Sequence, residues 1–177
     1  AAGRYRALPA PVMARQMFLT LATTRHPPPA TPALAASVVG QWLKERKLPI
    51  PGLVLENGSG LSRKERATAG GIARLLAAAD ASPLREEFAS SLAVAALDGT
   101  VQKRFRDGSV AGQALLKTGS LEGVRALAGY VIDASGRRFI VVAIVNHANA
   151  ARTTPALDYL VQWVYQEAAH WDSPLHR

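Results

Sequence analysis

Lys117, Thr118 and Gly119 form a run of three side-chain types that could do chemistry together. Lysine supplies a positive charge and threonine a hydroxyl, while glycine leaves room for a second backbone to come close. The run ends a predicted strand, is followed by Ser120, and enters a hairpin whose next strand begins near Val124. Such a strand edge suits a peptide bound by β-augmentation, with its free carboxylate near the lysine. Taken alone, three common residues in a row are better read as a plain surface hairpin with an ordinary lysine and threonine.

Other chemistry-bearing residues point to less. Ser59 lies in Gly58-Ser59-Gly60, but a nucleophile elbow needs glycines where Asn57 and Leu61 stand, so Ser59 reads as a turn residue. A phosphate loop needs glycine directly before its lysine, and Leu116 precedes Lys117. His147, flanked by Asn146 and Asn149, reads as an exposed loop histidine, and no cluster at ligand spacing implies a metal. Trp163 and Trp171 read as anchors of the last helix.

The elements that must position these residues follow from periodicity and turn signals. Val12 to Thr24 predicts a helix, with apolar residues at helical spacing at Met13, Met17 and Leu21 and Phe18 alongside. The Pro27-Pro28-Pro29 run ends it. Thr31 and Pro32 open a second helix, running to about Lys47 and burying Leu34, Val38 and Trp42. After an extended piece, Gly52 to Glu56, comes the turn Asn57-Gly58-Ser59-Gly60. Ser62 and Glu65 have capping-box spacing, which predicts a helix from there to about Ala79. Ser82-Pro83 opens a shorter helix, and Asp98-Gly99 marks a turn.

Beyond Ser109 the pattern changes period. Gln113 to Gly119, Ala126 to Ile132 and Arg138 to Asn146 predict three strands, with turns at Glu122-Gly123 and Ser135-Gly136. Thr153, Thr154 and Pro155 start a last helix with Leu157, Leu160, Val161 and Val164 on its apolar face. Helices, an antiparallel meander and one covering helix make an α+β pattern.

Composition narrows the class. Of 177 residues, 49% are hydrophobic and 19% charged, values that fit a globular domain and exclude global disorder. The net charge of +8 invites a nucleic-acid reading, but the positive residues are dispersed in small clusters at Arg63-Lys64-Arg66, Lys103-Arg104-Arg106 and Arg137-Arg138. That distribution favours a generally basic surface, and no nucleic-acid partner is expected. With no cysteine, disulfides and thiolate metal sites are excluded.

Several blocks in order carry a resemblance. Glu56-Asn57-Gly58-Ser59-Gly60-Leu61-Ser62-Arg63 resembles the acidic/Asn-Gly-Ser-Gly-Leu-Ser block of the serine D-Ala-D-Ala carboxypeptidase/endopeptidase family of penicillin-binding proteins. Leu92 to Phe105, with Asp98-Gly99-Thr100 and Arg104-Phe105, is similar to the segment before that family's Lys-Thr-Gly strand. Lys117-Thr118-Gly119-Ser120-Leu121 and Gly129-Tyr130 then follow in family order, so the resemblance covers roughly Val12 to Val164.

The resemblance implies an incomplete β-lactamase/transpeptidase-like domain: a three-stranded antiparallel meander packed by a C-terminal helix and preceded by a helical lobe. It implies hydrolysis of the terminal D-Ala-D-Ala bond of peptidoglycan stem peptides in the periplasm, through an acyl-serine, without metal or organic cofactor. β-Lactams would acylate the intact enzyme. Family catalysis uses Ser-x-x-Lys, Ser-x-Asn and Lys-Thr-Gly. Only the last carries over, giving Lys117, Thr118 and Gly119 catalytic roles and Lys117, Thr118 and Ser120 substrate-binding roles.

No serine here is followed three positions later by lysine, and no asparagine is preceded two positions earlier by serine. The Ser-x-Asn place is filled by Pro9-Ala10-Pro11, and proline offers neither hydroxyl nor amide. Two expectations follow. Residues 1–177 are the C-terminal part of a transpeptidase-like domain whose serine lies upstream of Ala1, or the chain is a degenerate, non-catalytic peptide- or cell-wall-binding module.

Overall fold

The computed structural model describes residues 10–106 and 108–167. The chain divides into two compact units, Ala1–Gly71 and Ile72–Arg177. Trp171 lies outside the described residues.

In the first unit, α1 (Ala10–Thr23) packs on α2 (Pro32–Glu45). The α2 start is as predicted: Thr31 is extended, its hydroxyl accepts the Leu34 N–H at 3.2 Å, and Pro32 takes the first helical position. The buried faces match the sequence reading at Phe18 and Val38 and differ from it elsewhere. Phe18, Ala22 and Ala35 form the interhelical core, whereas Met13, Met17 and Leu21 stay exposed. Hydrophobic periodicity weights long side chains, but here two alanines pack with Phe18 between the helices, and Met13, Met17 and Leu21 fall to the side. On α2, Ala35, Val38 and Leu43 are buried, Leu34 is half-buried, and Trp42 is exposed with the Arg46 guanidinium 5.7 Å from its ring centroid.

The predicted capping box does not form. The Ser62 hydroxyl donates to the Glu56 carboxylate, and Glu65 Oε1 accepts the N–H groups of Asn57 at 3.3 Å and Gly58 at 3.1 Å. Both side chains are thus spent on closing the 56–65 loop, so the third helix starts later. It is α3 (Ala69–Asp80), with the Thr68 hydroxyl accepting the Gly71 N–H at 3.1 Å. Gly58 has to be glycine: φ is +69°, and a Cβ there would meet the Phe18 side chain at 2.4 Å.

The second unit holds a four-stranded antiparallel sheet in the order β1-β2-β3-β4. Its strands are β1 (Ala93–Val94), β2 (Ala114–Leu121), β3 (Val124–Ile132) and β4 (Arg138–Asn146). Three strands are the predicted ones, and the α+β class holds. The addition is β1, whose two residues, paired with Leu116 and Leu115, are too few to show a period of two. The strand carrying Lys117 continues past Gly119 to Leu121, and the two-residue turn Glu122-Gly123 sets the register Leu121↔Val124 and Ser120↔Arg125.

Both sheet faces are covered, where the sequence pattern implied one covering helix. On one face, Leu116, Leu127, Val131 and Val141 pack with Leu157, Val161 and Val164 of α5 (Thr154–Glu167). On the other, Leu115, Ala128, Tyr130, Ile140 and Val142 meet Ile72 and Leu76 of α3 and Phe88 and Ala89 of α4 (Arg85–Ser90). The near-continuous apolar run of β4, Phe139 to Val145, is what a strand buried on two faces requires. Tyr130 is fully buried, and its hydroxyl donates to the Leu76 carbonyl at 2.7 Å, so the one polar atom it takes inside is satisfied. Trp163 packs against the α5-side core.

Candidate functional site

The outer edge of β2 is divided. β1 pairs only with Leu115 and Leu116, and among the described residues no strand continues alongside Lys117–Leu121 on that edge. The Ala114 carbonyl accepts the Ala95 N–H on this outer side at 2.8 Å, and the Gln113 carbonyl accepts the Ile132 N–H on the β3 side at 2.8 Å. Antiparallel pairing alternates, so even-numbered residues turn their backbone groups outward. Thr118 and Ser120 therefore present N–H and C=O groups along an open edge, which is the arrangement β-augmentation needs.

Side chains alternate as well. Thr118 and Ser120 share the face of Leu116, whereas Lys117 and Gly119 belong to the opposite face. A cavity of about 230 Å³ opens beside the strand, lined by Thr118, Gly119, Ser120, Arg125 and Ala126 from the hairpin. Thr100 and Arg104 line it from the connecting segment, and Thr154 and Leu157 from α5. The structure thus brings Thr118, Gly119 and Ser120 together at one cavity. Lys117 does not line it: the side chain is exposed, and its ammonium donates to the Thr118 carbonyl at 2.6 Å.

Thr100 sits in a 3-10 turn, Gly99–Val101, and its hydroxyl lies 2.6 Å from the Thr118 hydroxyl. Arg104 donates through Nε to the Asp158 carboxylate at 2.8 Å and through Nη2 to the same oxygen. Arg125 donates through Nη1 to the carbonyls of Leu121 at 2.9 Å and Val124 at 2.8 Å, which fixes it against its own hairpin turn. The lining residues thus include two arginines, of which Arg104 is paired with Asp158, and the hydroxyl-bearing Thr100, Thr118, Ser120 and Thr154, with no acidic residue among them. Such a pocket suits a small anion with two or more acceptor oxygens.

Of these, Thr100, Arg104, Arg125 and Thr154 were not among the predicted site residues. Arg125 was within reach of sequence reasoning, because a two-residue turn at Glu122-Gly123 places it opposite Ser120. Thr100 belongs to the Asp98-Gly99-Thr100 block but carries no chemical signal of its own. The partnership of Arg104 with Asp158 has none, since the two are 54 positions apart.

The other candidate residues have structural employment. Ser59 accepts the Leu61 N–H at 3.1 Å and its own N–H donates to Asn57 Oδ1 at 2.8 Å, as a turn residue does. His147 is exposed, and its Nδ1 accepts the Asn149 N–H at 3.0 Å.

Comparison with known proteins shows the family and the fold. Residues 11–166 match the D-Ala-D-Ala carboxypeptidase 3 (S13) family. The chain is 38% identical over 104 residues to a D-alanyl-D-alanine carboxypeptidase from Actinomadura sp. (strain R39), covering 56% of this chain and 19% of that protein. It is 32% identical over 155 residues to carboxypeptidase DacB from Mycolicibacterium smegmatis, covering 84% of this chain and 33% of the relative. The fold is similar to that of penicillin binding protein 4 (dacB) from Haemophilus influenzae, solved with a β-lactam. The TM-score is 0.75 at 23% identity, over 87% of this chain and 38% of that one. The chain thus spans a third or less of the length of these two sequence relatives.

Proposed function

The chain belongs to the D-Ala-D-Ala carboxypeptidase 3 (S13) family, and on that premise we propose that it supplies the carboxylate-binding side of a serine-type D-Ala-D-Ala carboxypeptidase. The observation that carries this reading is the open edge of β2 running beside a cavity lined by Thr100, Thr118, Ser120, Thr154, Arg104 and Arg125. In this reading a stem peptide of peptidoglycan pairs with the outward backbone groups of Thr118 and Ser120. Its terminal carboxylate enters the cavity, where hydroxyl donors and the Arg125 guanidinium receive it.

The reaction then needs a serine to attack the carbonyl of the D-Ala-D-Ala bond, releasing D-alanine and leaving an acyl-enzyme that water hydrolyses. No serine of this chain stands in a Ser-x-x-Lys motif, so the nucleophile is assigned to residues outside these 177. An edge N–H on β2 is suited to hold the carbonyl oxygen as it gains charge. Lys117 contributes a positive charge at the strand edge. β-Lactams are inhibitors of the intact enzyme in this reading, and the periplasm is its place of action.

Labelling with a fluorescent penicillin tests the proposal. The full-length protein is expected to be labelled and the 177-residue chain not. Covalent labelling of the chain alone would overturn the assignment of the nucleophile. One observation favours a second reading, a non-catalytic peptide-binding module: the cavity is assembled entirely within the unit Ile72–Arg177. A full-length protein that binds D-Ala-D-Ala peptides yet neither cleaves them nor reacts with penicillin would establish that reading instead.

A further inference from the structure

We propose that Thr100 is a positioning residue that acts through Thr118, setting the Thr118 hydroxyl to donate to the carboxylate of a bound peptide. The inference rests on the functional reading above and adds a residue to it. A hydroxyl has one proton to give. With the two oxygens 2.6 Å apart, one hydroxyl must donate to the other. If Thr118 gives its proton to Thr100, it turns only lone pairs to the cavity and repels an anion. If Thr100 donates, the Thr118 proton is free to point into the cavity. An anionic ligand selects the second arrangement and runs the chain Thr100 to Thr118 to carboxylate.

The backbone under Thr100 is built to hold such an arrangement. Asp98 Oδ1 accepts the Val94 N–H at 2.5 Å, which ties the turn to β1. On the other side Val101 is fully buried, and its carbonyl accepts the Ala96 N–H at 3.2 Å. Thr100 itself is exposed between these two anchors, so its hydroxyl is fixed in place while its methyl is not needed for the core. A polar side chain with no packing duty, held at hydrogen-bonding distance from a strand hydroxyl, is placed for orientation.

Steady-state kinetics of the full-length protein test this, using an N-acyl-D-Ala-D-Ala peptide and the same peptide with its C-terminus amidated. Thr100→Val keeps the shape and removes the hydroxyl. It is expected to raise KM for the acid about five- to tenfold, the loss of one hydrogen bond to a charged group, with kcat within about twofold. The KM for the amide should stay unchanged, and Thr100→Ser should restore the acid KM to within about twofold. Equal rises for acid and amide, no rise in Thr100→Val, or failure of Thr100→Ser to rescue would overturn the inference while leaving the functional reading intact. A wild type that cleaves neither peptide would sink both.

Discussion

Arg104 and Asp158 form a half-buried ion pair that joins the segment after the Gly99–Val101 turn to the second turn of α5. Their side chains keep 19% and 25% of their accessible surface, so water screens them only in part. The pair holds one wall of the cavity against another, and it fixes where the Arg104 charge sits. Asp158→Asn should therefore lower stability by about 1–2 kcal/mol, less than for a fully buried pair. Urea unfolding monitored by tryptophan fluorescence measures this, and an unchanged midpoint would mean that the pair contributes nothing.

Lys117 offers a cleaner separation of function from folding. It is exposed on the strand edge, and its ammonium donates to the neighbouring Thr118 carbonyl. Lys117→Ala in the full-length protein is expected to cut carboxypeptidase turnover at least about tenfold. Stability should shift by no more than about 0.5 kcal/mol. Turnover at the wild-type level would remove Lys117 from the mechanism.

Gly129 of β3 pairs with Leu116 of β2, where a side chain has no room. Its φ is +153°, and a Cβ would stand 2.0 Å from the Leu115 carbonyl oxygen, closer than any such contact can be. Because that oxygen belongs to backbone in the middle of the sheet, the strands must separate. Gly129→Ala is predicted to cost roughly 3 kcal/mol or more, in the range of severe core lesions. A thermal melt close to that of the wild type would refute it.

Asp133 gives a pH signature. Burial pushes its carboxyl up, but the Ser135 hydroxyl and backbone N–H and the Arg137 backbone N–H and side chain outweigh this, holding it at about 2 against an ordinary 3.8. A carboxyl depressed in the folded state contributes stability that is complete above the ordinary value and is lost as pH falls through the folded one. The turn between β3 and β4 should therefore weaken between about pH 4 and pH 2. Asp133→Asn should flatten that part of the stability profile, as followed by chemical denaturation across pH; a profile unaltered by the substitution would count against the assignment.

The sheet was legible in the sequence because its signals are local. Glu122-Gly123 and Ser135-Gly136 are turn dipeptides, and the β-branched runs between them leave few alternatives. The helical lobe was less legible, for reasons that are also physical. Ser62 and Glu65 have helix-start spacing, yet Glu56 and the Asn57 and Gly58 N–H groups compete for the same two side chains and win. Ala22 and Ala35 form the α1–α2 contact without any hydrophobic prominence. At the site, the strand motif was visible, but alternation of faces separates Lys117 from Thr118 and Ser120 only once the strand's neighbours are known. The ion pair that closes the cavity depends on two residues from distant elements, which no local pattern announces.

The shortness of β1 has a consequence for length. It occupies β2 only at Leu115 and Leu116 and stops, and among the described residues no strand pairs on that side with the remaining five, Lys117–Leu121. At ~3.4 Å per residue that is a ruler of ~17 Å. An incoming chain can register with it over a handful of residues and then runs out of partner at the Glu122-Gly123 turn. Adding two residues to β1 would consume the part of the ruler that contains Thr118, so the span a ligand can occupy is set by where that two-residue strand ends.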